Sequence, residues 1–277
     1  MEQGTRIVRY DRELGVEAYQ FQGVIQIFPG HFHDYYMIGF IERGLQHMKC
    51  LDVDCTVEGG DLLLFNPGDV HACRPVDGRE LDYRGFNIPK EVMGKAAASI
   101  TGLSQLPHFT RPAVFRSPLF PALRAVHGQV MDQDREFGKE EAFLLLLSQL
   151  LEEHAGEPPA PASGESAQTV AQVCAWLEEH FDEHVGLDEL SALAGWDKYR
   201  LIRAFARERG ITPYSYLMTL RVDRAKKLLE QGASPLDAAL ETGFSDQSHF
   251  TNQFKKLIGL TPGQYGAIFG GGGGGHG

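Results

Sequence analysis

The chain has 277 residues, of which 43% are hydrophobic and 23% charged, a composition typical of a soluble globular protein with room for two domains. No run of about 18 apolar residues is present, so the sequence excludes a membrane-spanning helix. The first residues also lack the apolar segment of a secretory signal. The four cysteines form no C-x-x-C pair, which indicates reduced thiols. We therefore expect a cytoplasmic protein.

The net charge of −11 is unevenly distributed along the chain. Residues 166–269 contain 11 Lys and Arg against 13 Asp and Glu, so residues 1–165 carry most of the negative charge. Five basic side chains crowd one short segment of the C-terminal part: Lys198, Arg200, Arg203, Arg207 and Arg209. An acidic protein repels phosphate as a whole, but a local basic patch of this kind remains compatible with nucleic-acid binding.

Residues 20–90 predict a β-rich domain. Short runs such as VIQIF, YYMIGFIERG and LQHMKCLDV are broken by Gly, Pro and Asp. Short strands at such regular spacing favour a small β-barrel or sandwich.

Three histidines fall within this β-rich segment. His31 and His33 are two residues apart and share one face of a strand, while His71 follows the turn sequence N-P-G-D-V. Three neutral imidazoles on one face could hold Zn²⁺, Fe²⁺ or Ni²⁺. Two other interpretations stay open: side chains that hydrogen-bond an organic ligand, and structural histidines paired with backbone groups or Asp.

A helix, a linker and a tail are predicted outside the strands. The segment KEEAFLLLLSQLLEEH (139–154) has Leu on more than one face, so this helix needs burial on two sides, either within its own domain or against a second subunit. Residues 156–166, GEPPAPASGES, lack periodicity and predict a linker. The final GGGGGGHG, residues 270–277, predicts a flexible tail.

Residues 167–269 predict helices throughout, arranged as an internal repeat. LDELSALAG and KYRLIRAFARERG are two short amphipathic segments separated by a turn at Trp196 and Asp197. SPLDAALETGF and DQSHFTNQFKKLIG repeat this arrangement, and a longer helical segment joins the two pairs. Two short helices with a Gly-containing turn form a helix-turn-helix, so we predict two such units.

This repeat resembles the AraC/XylS family of transcription regulators. The matching motifs are L-x-x-L-A-G, R-A-F-x-x-x-x-G-I-T-P-x-x-Y-L, L-R-x-x-x-A-x-x-L-L and A-x-x-x-G-F-x-D-x-S-H-F-x-x-x-F-K-x-x-x-G-x-T-P-x-x-Y. They cover roughly the last 100 residues in order and at the family's spacing, far beyond a chance motif match. The resemblance implies a domain that binds double-stranded DNA through both helix-turn-helix units.

The second helix of each unit is the expected recognition helix. In the second unit Phe250 and Phe254 face inward, and the outward side chains are placed to reach base edges or phosphates: Gln247, Ser248, His249, Thr251, Asn252, Lys255 and Lys256. In the first unit the resemblance assigns this role to Lys198, Tyr199, Arg200, Ile202 and Arg203. Ile202 replaces a polar residue often found there, which favours contact with a thymine methyl group.

The predicted joining helix of nearly twenty residues spans close to one turn of DNA, at about 1.5 Å per residue. One subunit should therefore touch two successive major grooves, and a dimer should read two such bipartite sites.

The N-terminal histidine pattern resembles the cupin barrel that many AraC-type regulators carry as an effector-sensing domain. It departs from metal-binding cupins, because the glutamate expected after H-x-H is replaced by Met37 or Ile38. We therefore expect no required cofactor, with the three histidines kept as candidate ligands of a divalent metal. The candidate effector-binding residues are His31, His33, Tyr35, His71, Arg74 and Arg84. An arginine in the pocket would favour a carboxylate or phosphate ligand.

The sequence thus predicts an α+β protein of two domains. Residues 1–155 form a cupin-like barrel with a helical extension, for effector sensing and dimerisation, and residues 167–269 form the all-α double helix-turn-helix domain. We expect a non-enzymatic, ligand-responsive transcription regulator that forms a homodimer. Its expected partners are operator DNA, a small effector and, in an activator, RNA polymerase. The rival interpretations are a metal-dependent cupin enzyme fused to a DNA-binding domain, and a constitutive DNA-binding protein whose barrel only dimerises.

Overall fold

The computed structural model describes residues 4–102, 104–132, 138–158 and 164–270. Apart from Phe28–His31, residues 1–159 form one compact unit and residues 160–277 a second. Part of the predicted linker and the tail residues 271–277 lie outside the described residues. A helix already begins at Glu165, one residue before the predicted linker ends.

The first unit is built from two main sheets. Its strands are β1 (Thr5–Asp11), β2 (Val16–Val24), β3 (Phe28–His31), β4 (Tyr35–Arg43), β5 (Leu45–Cys50), β6 (Val53–Glu58), β7 (Leu62–Phe65), β8 (His71–Pro75), β9 (Leu81–Pro89), β10 (His108–Phe109), β11 (Ala113–Val114) and β12 (Ala155–Gly156). One sheet has the order β1-β2-β9-β4-β7-β11, the other β3-β8-β5-β6, and β10 pairs with β12. Strand β3 is described with this unit because it belongs to the four-stranded sheet. The predicted cupin-like β domain is confirmed.

One face of the six-stranded sheet packs against the helical extension, α1 (Lys90–Thr101), α2 (Phe120–Met131) and α3 (Gly138–His154). Ile38 and Phe86 are direct cross-strand partners and therefore project from the same face. Both are buried in one apolar cluster with Leu147 and Leu150 of α3. We call this the helix-covered face.

The opposite face of the six-stranded sheet looks toward the four-stranded sheet. Tyr19 of β2 lies opposite Gly85 of β9, which in turn lies opposite Gly39 of β4. Further along the same face, the ring of Phe65 stacks on His71 of β8 with centroids 4.1 Å apart. We call the space between the two sheets the barrel interior.

Helix α3 contains the leucine-rich segment. Leu146, Leu147, Leu150 and Leu151 are all buried within this unit, whereas Leu145 is 60% exposed. Packing within the domain therefore accounts for most of the leucines that the sequence places on more than one face.

The second unit is helical in the part of the chain that the structure describes. Its helices are α4 (Glu165–Glu179), α5 (Leu187–Ala194), α6 (Lys198–Arg209), α7 (Pro213–Glu230), α8 (Pro235–Glu241), α9 (Gln247–Ile258) and α10 (Pro262–Gly270). The pairs α5–α6 and α8–α9 are the two predicted helix-turn-helix units, joined by α7.

A glycine closes the first helix of each unit. Gly195 ends α5 with φ 64°, and Gly243 follows α8 with φ 75°, a left-handed conformation that favours glycine. At Gly243 a Cβ would also lie 2.5 Å from the carbonyl oxygen of Asp182. The turn between α8 and α9 therefore requires this residue type.

Among the described residues, no helix is both long and apolar enough to cross a membrane. Cys50, Cys55, Cys73 and Cys174 are free thiols, as the sequence predicts.

Candidate functional site

Two groups of predicted residues define candidate sites, one in each unit. In the helical unit, α6 begins at a side-chain cap, because the carboxylate of Asp197 accepts a hydrogen bond from the Arg200 backbone N–H at 2.9 Å. Its inner face buries Leu201 and Phe205 completely. This anchoring leaves the opposite face of α6 to solvent.

The outer face of α6 carries most of the predicted first set. Lys198, Arg200 and Arg203 are exposed and Ile202 is half-buried, while the side chain of Tyr199 lies outside the described residues. Lys198 forms an exposed ion pair with Asp188 of α5 at 2.6 Å. The Arg200 guanidinium lies 4.5 Å from the centre of the Trp196 ring. Exposed pairs of this kind are weak and exchange readily, so both cations remain available to phosphate.

Helix α9 repeats the construction of α6. Asp246 caps it by accepting a hydrogen bond from the His249 backbone N–H at 2.7 Å, and this bond lowers the pKa of the Asp246 carboxyl. Phe250 and Phe254 are completely buried on the inner face. Two helices of the same design, α6 and α9, thus belong to one chain.

The outer face of α9 carries the predicted second set. Gln247, Ser248, Asn252 and Lys256 are exposed, and Thr251 and Lys255 are half-buried. Asn and Gln side chains at such positions can form bidentate hydrogen bonds with adenine. Lys255 and Lys256 lie in the last turn of the helix, where a cation also interacts favourably with the helix dipole.

His249 differs from its neighbours on α9. Its ring packs edge-on against Phe244, with centroids 5.4 Å apart, and its Nε2 lies 3.3 Å from the Tyr214 hydroxyl of α7. These contacts hold α9 against the joining helix. His249 is therefore placed to position α9, and its predicted contact with DNA stays a prediction.

A buried arginine that the sequence reasoning missed connects the two helix-turn-helix units. Arg221 of α7 is only 7% exposed, and its guanidinium donates to the backbone carbonyls of Phe181 at 2.7 Å and Glu183 at 2.6 Å, just before α5. The same group lies 5.8 Å from the centre of the Phe244 ring, just before α9. Burial lowers the pKa of Arg221. The family motif L-R contains this residue, but its hydrogen-bond acceptors are 40 and 38 positions away and no local pattern points to them.

In the β-rich unit the three predicted histidines come together. His31, His33 and His71 are 3%, 8% and 4% exposed, and one ring nitrogen from each lies within 4.8 Å of the other two. His33 stacks on Tyr35 with centroids 4.6 Å apart, which places that predicted residue beside the cluster. We call these three side chains the histidine triad.

Tyr35 and Tyr36 project from opposite faces of β4, as strand alternation requires. Tyr35 lies beside His33, whereas Tyr36 is 2% exposed on the helix-covered face. The Tyr36 hydroxyl donates to the carbonyl of Pro107 at 2.7 Å. Of the two tyrosines, Tyr35 is therefore the one near the triad.

The two predicted arginines do not join the triad. Arg74 is exposed and lies on the opposite face of β8 from His71 and Cys73, because successive residues of a strand alternate. Arg84 is the cross-strand partner of Phe40, so it projects from the helix-covered face, where it lies 3.7 Å from Glu42. The structure places neither arginine beside the triad, and their effector role stays a prediction.

Other polar groups occupy the barrel interior instead. The Tyr19 hydroxyl is buried and has no hydrogen-bond partner among the residues that the structure describes. Burial raises its pKa well above the usual range, with smaller contributions from Tyr35 and Cys73. The ring lies over Gly39 and Gly85, since a Cβ on Gly85 would overlap the hydroxyl.

Three further residues of the interior face were missed from sequence. Arg6 is opposite Phe21 in the β1–β2 pair, and its buried Nε is also without a partner among the described residues. Glu17, 5% exposed, accepts a hydrogen bond from the Asn87 amide at 2.9 Å. Which face of β1 and β2 becomes the interior depends on the non-local pairing of β2 with β9, so the common face of these residues became visible only in the sheet.

Comparisons with known proteins cover both units. Residues 14–150 match the family model of the AraC-like ligand binding domain, and residues 190–267 match that of the helix-turn-helix domain. The chain is 48% identical over 249 residues to the HTH-type transcriptional regulator YbfI of Bacillus subtilis (strain 168), covering 90% of each protein. It is 27% identical over 252 residues to the HTH-type transcriptional activator RhaS of Escherichia coli O81 (strain ED1a), covering 85% of this chain and 86% of RhaS.

A likeness of fold extends over nearly the whole chain. The crystal structure of ToxT from Vibrio cholerae O395 matches with a TM-score of 0.52 at 13% identity, covering 98% of each chain.

Proposed function

Because the chain belongs to the AraC family of helix-turn-helix transcriptional regulators, we propose that it binds operator DNA through α6 and α9 under the control of a small molecule held in the barrel interior. The observation that supports DNA binding through α6 and α9 is that the two helices are built in the same way. Each has an Asp cap, a fully buried aromatic anchor and an exposed polar face. The relatives reported above are named transcriptional regulators, which favours a non-enzymatic role.

The side chains of α9 divide into base-reading and phosphate-binding groups. Asn252 and Gln247 are exposed amides on the outer face and suit the major-groove edge of adenine. Lys256, one turn beyond Asn252, is placed to neutralise a phosphate. On α6, Arg203 is the exposed cation assigned to a base and Ile202 the apolar group assigned to a thymine methyl.

One subunit would contact two successive major grooves. Helix α7 has 18 residues, which corresponds to about 27 Å at 1.5 Å per residue, comparable with a DNA turn of roughly 34 Å. A homodimer would bind two such bipartite sites, and an activator would also contact RNA polymerase.

The effector would bind in the barrel interior near Tyr19. The buried Tyr19 hydroxyl and the Arg6 Nε both lack a partner among the described residues, and leaving such groups unsatisfied costs about 1–3 kcal/mol each. Both can donate a hydrogen bond. A small organic molecule that offers a hydrogen-bond acceptor, such as a carboxylate or carbonyl oxygen, would therefore stabilise the barrel as it binds.

The second candidate is a constitutive DNA-binding protein whose barrel only dimerises. Packing of the interior by its own aromatic side chains favours this alternative, since Tyr19, Phe21 and Tyr83 contact one another with centroids 5.1–5.8 Å apart. The unsatisfied donors beside those rings favour the effector-binding alternative.

Operator titrations of variants test the assignment of α9. An operator duplex is first selected from random sequence with the full chain, and its dissociation constant is then measured for Asn252→Ala. We expect affinity to fall by about 1–3 kcal/mol, with relaxed preference at one base pair, because the variant loses a base contact.

Gln172→Ala is the matched control, since Gln172 is an exposed amide on α4. It should bind as tightly and as selectively as the wild type. If Asn252→Ala matched Gln172→Ala in both affinity and base preference, α9 would not be the base-reading helix.

A further inference from the structure

The histidine triad concentrates three buried imidazoles where two strands and a loop meet. His31 ends β3, His71 begins β8, and β3 and β8 are neighbours in the four-stranded sheet. His33 follows β3 by two residues, and its ring centroid lies 5.1 Å from that of His71.

Backbone contacts fix which nitrogen of two triad members carries the proton. The Nδ1 of His31 lies 2.7 Å from the carbonyl oxygen of Pro29, and the Nδ1 of His71 lies 2.9 Å from that of Asp69. A carbonyl oxygen can only accept, so each Nδ1 must carry hydrogen. In the neutral ring the lone pair then sits on Nε2. Histidines that ligate metals commonly donate their other nitrogen to such an oxygen.

The loop between β7 and β8 holds the triad in place. The Gly68 N–H donates to the carbonyl of His33 at 2.8 Å. Asn66 donates through its side-chain amide to Asp69 and to the carbonyl of Phe109, both at 2.9 Å. These hydrogen bonds within the protein fix the conformation of the loop, which carries His71 at its end and supports His33.

We propose that His31, His33 and His71 form a binding site for a divalent transition metal of the Co²⁺, Ni²⁺ and Zn²⁺ class. Imidazole nitrogen suits these ions, whereas Mg²⁺ and Ca²⁺ require oxygen ligands. Metal–nitrogen bonds of about 2.0–2.1 Å place two ligand atoms at most about 4.2 Å apart. The three candidate ligand atoms already lie within 4.8 Å of one another, so small shifts of the rings suffice to bring them to bonding distance.

Three protein ligands leave a coordination position for water or for an anionic group of a bound molecule. The site lacks the glutamate of metal-binding cupins, because Met37 and Ile38 occupy the corresponding part of β4. An all-nitrogen ligand set carries no negative charge, so the bound ion keeps its full charge. The metal site would exist whether or not the barrel controls DNA binding.

Cobalt absorption tests this site in the full chain. The protein is stripped with a chelator and titrated with CoCl₂, with excess Mg²⁺ present throughout. We expect one equivalent to bind with the visible absorption of four- or five-coordinate Co²⁺ and without a thiolate charge-transfer band. Excess Mg²⁺ should not displace it.

Variants identify the ligands. His33→Ala and His71→Ala should each weaken Co²⁺ binding by at least about tenfold and abolish the visible band. Removing a group that only hydrogen-bonds a metal ligand already weakens binding by about 10–100-fold, so removing a ligand itself should cost at least as much. His47→Ala is the matched control, since His47 is a half-buried histidine on β5 paired with Asp54 at 3.1 Å. It should leave the titration unchanged.

A measurement on the wild type covers the case in which a variant fails to fold. X-ray absorption of the Zn²⁺-loaded chain should count three imidazole ligands. A thiolate ligand would overturn the all-histidine set, because Cys50 lies directly opposite His71 in the β5–β8 pair. Fewer than two imidazoles, or equal Co²⁺ affinity in wild type and both triad variants, would overturn the site itself.

Discussion

Two buried tyrosines of the barrel differ in one hydrogen bond. The Tyr36 hydroxyl donates to the carbonyl of Pro107, whereas the Tyr19 hydroxyl has no partner among the described residues. Burial is the main cause that raises both pKa values, that of Tyr36 to about 12. A buried polar group without a partner has lost its hydrogen bonds to water without replacement. Tyr19 therefore destabilises the ligand-free barrel and is available to stabilise a bound molecule.

Removing each hydroxyl should have opposite effects on stability. Tyr19→Phe should raise the free energy of unfolding of the β-rich unit by about 1 kcal/mol, because it removes an unsatisfied group. Tyr36→Phe should lower it by about 0.5–1.5 kcal/mol, because it breaks a hydrogen bond and leaves the Pro107 carbonyl unpaired. Calorimetry of the full chain measures both. A loss of stability in Tyr19→Phe as large as that in Tyr36→Phe would mean that the Tyr19 hydroxyl has a partner.

Individual site residues were predictable where the local pattern determines which way a side chain points. The two-residue spacing of His31 and His33 predicts that they lie together, and the structure brings both together with His71, although His33 lies beyond the end of β3. Alternation along β8 already separates Arg74 from His71, but the face of β9 on which Arg84 lies depends on pairing between β2, β9 and β4. Sequence periodicity does not contain that information. Arg6 escaped notice for the same reason.

At the scale of elements, the joining helix holds the two DNA-binding units in one arrangement. The guanidinium of Arg221 bonds to two backbone carbonyls before α5 and lies over the ring of Phe244 before α9. Charged donors to neutral acceptors contribute about 1.5–3 kcal/mol each. The buried position of this group in α7 therefore couples the folding of both helix-turn-helix units.

Arg221→Leu should destabilise the helical unit by about 2–4 kcal/mol, because two backbone carbonyls lose their charged donor. Both tryptophans of the chain, Trp176 and Trp196, lie in this unit, so denaturant titration followed by tryptophan fluorescence measures the loss. Operator affinity should also fall, since α6 and α9 lose their common support.

Arg224→Leu is the matched control on the same helix, where Arg224 is exposed. Its effect on unfolding should be much smaller. Equal destabilisation by the two substitutions would show that Arg221 contributes no more than an exposed arginine of α7.

The helices and their arrangement were predictable almost completely from the sequence. For the β-rich unit, the presence of strands was predictable but their order in the sheet was not. Each helix-turn-helix is specified within about twenty residues by apolar spacing and a closing glycine, and the internal repeat supplies a second copy for comparison. The barrel strands pair over distances such as Tyr19 with Gly85. Their existence follows from β-rich runs and turns, but their order in the sheet does not.

At the scale of the whole molecule, charge is divided between the two units. Residues 166–269 are close to neutral and carry the exposed cations of α6 and α9, whereas residues 1–165 hold most of the net charge of −11. Repulsion of the acidic part by DNA opposes non-specific binding. Binding should therefore depend on the matched contacts of both recognition helices in one chain.

Selection of bound duplexes from random sequence with the full chain is the most direct test of this account. It predicts an enriched site of two unlike half-sites, with centres about 10–10.5 base pairs apart, because α6 and α9 would enter successive major grooves on one face of the DNA. Enrichment of a single half-site would contradict reading by both helices. No enriched sequence, in either the metal-free or the metal-loaded chain, would contradict sequence-specific binding by this protein.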